Sequence, residues 1–466
     1  MKRNIEKLKV KEFDLCVIGG GIYGACVAWD AVLRGLSVAL IEKDDFGHAT
    51  TFNSQKTIHG GFRYLQNFDF PRVVSAAKER RVWMDIAPHL VHPLPFLVPT
   101  TKKLTRSKPA FFAAFLIYYL LTNGSNKSND PQKIIPFGKL LSLKECVDLF
   151  PMFDPSDING GALFYDGLIH NSERLVLSII KSAIDAGAVI ANYTEASGFI
   201  KQDNCIVGVK AHDFIAGDDF NVRSKIVVNT TGPWVNDVNS EIGQNFSEDI
   251  DFIKVWYLML KKPQLKCAVG FPAENGKHYF MLPWHDKTLI GAAESTPDEV
   301  DYTNVHLSNI EIENFLNDVN RNCPKMDLKN TDVLAIRGGM LPADMKSIEK
   351  DDPCLSEKTR IIDHSNKGKT EGLISVVSIK FTMARKIAQQ VVDLSLSKLG
   401  RKYFASTTHN TKVSGGIINY FNKYLEAVIA KNRGNFDEES IQHLVRSYGT
   451  DHEEVLKTAE FDVSLR

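Results

Sequence analysis

The start of the chain is organised by short apolar runs separated by glycine. Leu15–Ile18 has the length and composition of a buried strand, and Gly19, Gly20 and Gly21 end it. An amphipathic run from Ala25 to Leu33 predicts a helix, with Arg34 and Gly35 as its stop. Val38 to Ile41 is a second apolar strand, closed by Glu42. Further on, residues 71–86 read as a helix with Pro71 in its first turn. Residues 110–121 are the most apolar run of the chain, too short to span a bilayer. They fit a buried helix or a one-sided membrane contact equally well, and residues 123–131 read as a solvated loop.

A helical period returns at 170–187, and residues 188–230 alternate as strands with turns near 202–204 and 216–219. Three strand-like runs follow, from Phe252 to Leu260, His278 to Pro283 and Leu289 to Ala293, and suggest a mixed sheet. Residues 372–377 predict a strand and 380–393 a helix, while 441–448 and 453–456 predict short helices. Strand, helix and strand in that order indicate an α/β class with a parallel sheet.

Composition narrows this. The chain has 466 residues, 44% hydrophobic and 24% charged, with a formal net charge of zero. No global field attracts nucleic acid, so no nucleic-acid partner is expected. Seven scattered cysteines without a C-x-x-C pair indicate reduced intracellular thiols, and no metal site is expected. The charged N-terminus has no apolar stretch of signal-peptide type, which indicates a cytoplasmic protein.

Candidate chemistry concentrates near the start. Gly19, Gly21 and Gly24 form G-x-G-x-x-G between a strand and a helix, and Glu42 follows 18 residues later. That arrangement sets a diphosphate on a helix N-terminus and a carboxylate on a ribose hydroxyl. Thr50, Thr51, Ser54 and Lys56 can donate to the same diphosphate, and Gly60 and Gly61 let a flat ring approach the backbone. His59 and Arg63 flank that pair, whereas His89 and His92, set among prolines, suit packing. Thr230–Trp234 ends an apolar strand, where ligands of open α/β sheets collect.

Gly19–Gly24, Ile58–Leu65, Ala87–Leu90, Gly160–Asp166, Val227–Trp234, Tyr279–Trp284 and Ser378–Thr382 together resemble the FAD-dependent glycerol-3-phosphate dehydrogenases, within the D-amino-acid-oxidase-like flavoproteins. The resemblance runs to about residue 395. It implies FAD as cofactor and a Rossmann-type FAD-binding domain of glutathione-reductase type, interleaved with a mixed-sheet cap. The boundaries it suggests are 1–95, 155–250 and 343–400 for the FAD part and 96–154 and 251–342 for the cap. Residues 401–466 resemble the opening of the family's C-terminal helical domain.

By the same resemblance, FAD contacts fall on Gly19, Gly20, Gly21, Ile22, Tyr23, Gly24, Glu42, Lys43, Thr50, Thr51, Ser54, Lys56, His59, Gly60, Gly61, Ala196, Thr231, Gly232, Trp234, Gly339, Lys380, Phe381 and Thr382. Arg63, His59 and Lys380 take the catalytic roles, with Tyr64, Tyr257 and Arg337 completing the substrate shell. Two positions depart from the family: Leu341 stands at a substrate arginine and Tyr257 at a histidine. Arg337 is a candidate replacement. Ser378 and Ile379 replace two glycines before Lys380.

The implied activity is hydride transfer from a secondary alcohol carbon of a small, phosphorylated polyol to flavin, with quinone or another acceptor downstream. Residues 110–121 are then a candidate contact with the inner membrane surface, and a homodimer is compatible. Oxidation of an amine or amino acid is the alternative that Leu341 and Tyr257 raise. A flavin-binding protein without turnover is the reading from another class.

Overall fold

The computed structural model describes residues 3–241, 250–261, 263–272, 278–297, 302–303, 305–344, 354–356, 358–368 and 370–461. Among these, the strands form two sheets, one eight-stranded and one nine-stranded. The first runs in the order Arg360–Asp363, Leu373–Val377, Asp218–Asn229, Glu12–Ile18, Val38–Ile41 and Val189–Ala191. Its centre is parallel: Glu12–Ile18 lies between Asp218–Asn229 and Val38–Ile41.

Strand alternation decides which layer covers each face. Leu15 and Val17 point into a core with helices Ile22–Leu33, Ser172–Asp185 and Ala384–Lys398. Cys16 and Ile18 point to the other face, covered by the meander Thr194–Gln202, Cys205–Asp213 and the start of Asp218–Asn229. The α/β class expected from the sequence is therefore the one observed.

The second sheet is mixed. Its order is Val333–Pro342, Phe252–Leu260, Lys287–Ser295, His278–Trp284, Ala268–Pro272, Val91–Thr100, Gly160–Ile169 and Thr57–Ile58. Helix Asn309–Asn322 covers one face, with Phe315 against Trp256 at 5.0 Å between ring centroids. The run around His92 is thus a strand. Pro93, Pro95 and Pro99 share one parity, so their missing N–H groups fall on one edge and the other edge keeps its ladder with Gly160–Ile169. Gly160–Ile169 belongs to this sheet as well, although a boundary at 155 had grouped it with the FAD part.

Two sequence expectations change. The apolar run 110–121 sits within a longer helix, Lys108–Asn126, capped by Ser107. That helix is neither wholly buried nor wholly free. Phe115, Tyr118, Thr122 and Asn126 are buried, while Phe112, Leu116, Ile117, Tyr119 and Leu120 are exposed. The segment expected as a solvated loop starts inside this helix. Asn126 is buried because its side chain accepts from Arg80 at 2.8 Å and donates to Thr122 at 3.0 Å. Among the described residues no helix is long and apolar enough to cross a membrane.

Three C-terminal helices, Phe421–Asn432, Glu438–Tyr448 and His452–Phe461, share a small core of their own. Polar ties fasten the tail to the first domain, among them Lys181 to Asp451 at 2.9 Å. Arg401 and Lys225 both pair with Asp14, at 2.7 and 2.9 Å. Burial alone would raise the Asp14 carboxyl, but hydrogen bonds from Ser37 and the Lys225 pair hold it at about 2. Its folded value is depressed, so its stabilisation is complete above the unfolded value near 4 and is lost as pH falls toward 2. Asp14→Asn should therefore flatten the acid limb of the thermal-stability profile between pH 4 and 2; an unchanged limb would refute this.

Candidate active site

One large cavity, about 2220 Å³, runs from the carboxyl end of the first sheet to the face of the second. That is more than twice the usual upper size of about 1,000 Å³ for a small-ligand pocket. Its floor is the turn after Glu12–Ile18. Gly19 takes φ +98, where a side chain is strained, and a Cβ there would press on Thr230 O at 2.8 Å. Gly24 has another reason to be glycine. Its helix packs so close that a Cβ would overlap Gly19 O and come within 2.6 Å of Thr230 Oγ1.

Helix Ile22–Leu33 begins at Gly21 without a side-chain cap, which leaves first-turn N–H groups and the positive dipole end facing the cavity. Ile22 N–H donates to Thr51 Oγ1 at 3.2 Å. Glu42 lies alongside, and its carboxylate accepts from Gly20 N–H at 2.5 Å and Asp44 N–H at 2.9 Å. Burial pushes that carboxyl upward, against the two N–H bonds. Thr50, Thr51 and Ser54 also line the cavity. Ser54 Oγ is buried and has no hydrogen-bond partner among the described residues.

The glycine pair at 60–61 is pinned from beneath. His59 N–H donates to Thr382 Oγ1 at 2.9 Å, and Gly60 N–H to Asp166 Oδ1 at 2.5 Å. His59 Nδ1 lies 3.3 Å from Asp166 Oδ2, and Arg80 holds the same carboxylate at 3.1 Å. Gly61 adopts φ +82 and opens the 3₁₀ turn Phe62–Asn67, which carries Arg63 and Tyr64.

From the other side comes the loop after Leu373–Val377, with Ser378, Ile379, Lys380, Phe381 and Thr382 all on the wall. It is fixed at two carbonyls: Tyr23 Oη donates to Lys380 O at 2.8 Å and Trp83 Nε1 to Thr382 O at 2.9 Å. Lys380 Nζ lies 4.5 Å from the Tyr64 ring centroid.

Residues 14–393 match the family described as FAD dependent oxidoreductase. The chain belongs to that family. It is 32% identical over 461 residues to a glycerol-3-phosphate dehydrogenase of Synechocystis sp., covering 96% of this chain and 81% of the relative. It is 30% identical over 473 residues to the aerobic glycerol-3-phosphate dehydrogenase of Staphylococcus aureus, covering 98% and 82%. Among solved structures it is similar to the glycerol-3-phosphate dehydrogenase of Bacillus halodurans complexed with FAD, with TM-score 0.78, 26% identity and coverage of 98% and 79%.

The residues of this FAD dependent oxidoreductase fit its cofactor. A Cβ at Gly19 or Gly24 would collide with the turn, the N-cap Gly21 has no side chain to cover the helix start, and Ser54 keeps an unmatched hydroxyl. Gly19, Gly21, Ile22, Tyr23, Glu42, Lys43, Thr50, Thr51, Ser54, His59, Gly61, Ala196, Thr231, Gly232, Trp234, Gly339, Lys380, Phe381 and Thr382 line the oxidoreductase's cavity, as do Arg63, Tyr64 and Tyr257.

Five positions singled out from the sequence lie outside the wall. Gly20 and Gly24 shape the turn from behind. Gly60 is packed under Arg80, and its carbonyl accepts from Tyr118 Oη at 2.8 Å. Lys56 turns its ammonium inward, to Phe52 O, Ser172 Oγ at 2.6 Å and Glu173 Oε2 at 3.4 Å. Burial lowers Lys56 to about 8, against the pull of Glu173. Arg337 does not fill the place of the missing arginine. It pairs with Tyr257 across the sheet, four residues before Leu341, and its guanidinium is taken up by aromatic rings, 4.2 Å from the Phe52 centroid and 5.7 Å from that of Trp284, off the cavity wall.

Other lining residues had not been singled out. Asp166 orients His59. Thr230 Oγ1 donates across the first turn to Ile18 O at 2.8 Å and lies 3.0 Å from Gly19 O. On the second sheet's side stand Arg106, His278 and Glu294. Burial lowers His278, and the charges of Arg106 and Arg63 add to it, so two guanidinium groups and a neutral imidazole share one region. In the sequence Arg106 is one of four basic residues, with Lys102, Lys103 and Lys108, ahead of the apolar helix. Its partner His278 is far away in sequence.

Proposed function

We propose that this oxidoreductase removes hydride from a secondary alcohol carbon of a small polyol bearing an anionic tail, with glycerol 3-phosphate as the first candidate. The observation that carries this reading is the cationic pair Arg63 and Arg106, with His278 beside them, on the wall of the same cavity as the FAD turn. A guanidinium fork suits a phosphate dianion, and a second arginine supplies charge without the arginine that Leu341 replaces. FAD, when bound, supplies the hydride acceptor.

The protein's part is positioning and proton handling. Asp166 fixes the His59 ring through Nδ1, which positions His59 to take the hydroxyl proton. Lys380, with its ammonium beside Tyr64, stabilises negative charge on the substrate oxygen. Phe96, Phe164 and Phe280 form the apolar wall that excludes water around the carbon.

Electrons then leave to quinone or another acceptor. Ala110, Phe111 and Ala114 line the cavity on the same helix that exposes Phe112, Leu116 and Leu120. That placement supports peripheral contact with an anionic membrane surface, helped by Lys102, Lys103 and Lys108.

Turnover with a dye acceptor tests the substrate class. Glycerol 3-phosphate should exceed glycerol in kcat/KM by about tenfold or more, the worth of one charge-assisted contact. Equal values would refute the anionic tail. Leu341→Arg should lower KM for glycerol 3-phosphate by about tenfold, while Arg337→Met should leave it unchanged. A KM raised by Arg337→Met would contradict the placement of Arg337.

A second reading rests on Glu294. This carboxylate lines the cavity near Tyr257, whose hydroxyl is pushed up by burial and then by Glu294. An acid there suits a substrate ammonium. Peroxide release from amino acids, with none from polyols, would favour amine oxidation.

A further inference from the structure

Away from the flavin cavity, three histidines from distant parts of the chain meet. His170 follows strand Gly160–Ile169, His285 turns the hairpin between His278–Trp284 and Lys287–Ser295, and His443 lies on helix Glu438–Tyr448. Each offers one ring nitrogen, and these nitrogens lie within 4.8 Å of one another. The ring centroids of His170 and His285 are 4.6 Å apart, and His443 is 6.2 and 6.3 Å from them. None of the three lines the FAD cavity.

The surroundings hold the rings in place. Trp284 Nε1 donates to the His170 carbonyl at 3.0 Å. His285 sits at φ +53, a conformation uncommon for a residue with a side chain. His170 Nε2 is buried with no hydrogen-bond partner among the described residues, a costly state unless something binds it.

We propose that His170, His285 and His443 bind a borderline divalent cation, Zn²⁺ foremost, which clasps the C-terminal helices to the second sheet. Imidazole nitrogens suit such ions, and three of them with one water complete a tetrahedron. On a tetrahedral ion the nitrogens sit about 3.3 Å apart. His285 and His443 are exposed, so their rings can turn to close the difference. Positions 170, 285 and 443 make no sequence motif, which is why the sequence led to an expectation of no metal.

The test uses the full chain, untagged, FAD-loaded and freed of metal by a chelator. Calorimetry with Zn²⁺ should give one equivalent bound, Co²⁺ should give a tetrahedral absorption band, and Zn²⁺ should raise the thermal midpoint. His443→Gln and His285→Gln, both at exposed positions, should each weaken Zn²⁺ binding at least about tenfold and remove the Co²⁺ band. His409→Gln, exposed elsewhere, should change neither. Failure of the unaltered chain to take up Zn²⁺, or binding that survives undiminished in both variants, would overturn the proposal.

Discussion

A Gly24→Ala chain is expected to purify without flavin and to be destabilised by about 3 kcal/mol, the upper range for overpacking a rigid site. The added methyl has nowhere to go. Its neighbours are Gly19 O and Thr230 Oγ1, and Thr230 is itself bonded across the first turn. Relief requires moving the helix off the strand, which spoils the N–H groups presented to the diphosphate. Gly35→Ala is the control. Gly35 also has a positive φ, +81, but nothing lies within 4 Å of its Cβ position. It should cost about 1 kcal/mol from backbone strain and leave the flavin bound. Thermal melting with absorbance at the flavin band checks both. A yellow Gly24→Ala protein of normal stability would contradict the close packing.

Lys380→Met should slow anaerobic flavin reduction by about 10²–10⁴-fold, the usual worth of a placed acid–base or charge-stabilising group. The flavin should stay bound, because the loop is held through backbone carbonyls by Tyr23 and Trp83 and not through the ammonium. KM should change little if Lys380 acts on the developing oxyanion and not on the anionic tail. Stopped-flow reduction by glycerol 3-phosphate measures this. A rate within about twofold of the unaltered enzyme would remove Lys380 from the chemistry.

Much of the FAD side was legible because its signals are local. Gly19, Gly21, Gly24 and Glu42 fall within one strand–helix–strand unit, and the structure brings all of them to the same turn. Lys56 was misleading for a physical reason. Lysine reads as a donor for phosphate, but Lys56 sits at φ +61, which turns its chain inward to Ser172 and Glu173. Arg337 failed in a similar way. Counting positions from Leu341 suggested a substitute on the same face of the strand, yet the guanidinium is drawn onto Phe52 and Trp284, residues that no local pattern places beside it. Asp166, Arg106 and His278 were hidden because their meaning comes from pairings between distant segments. Asp166 matters through a ring more than a hundred positions upstream, and no periodicity announces that. The helix Lys108–Asn126 shows the same limit. Its apolar run was plain, but its division into a buried and an exposed stripe depends on Phe62 and Phe137 packing against Phe115.

The central claim is that FAD on the glycine turn and an anionic polyol beside Arg63, Arg106 and His278 share one cavity. The most direct measurement is the absorption spectrum of the anaerobic FAD-loaded protein during titration with glycerol 3-phosphate. The account predicts bleaching of the oxidised flavin band at substoichiometric to equal substrate, with no bleaching by glycerol at the same concentration. A flavin that stays oxidised with glycerol 3-phosphate and bleaches with an amino acid would contradict it.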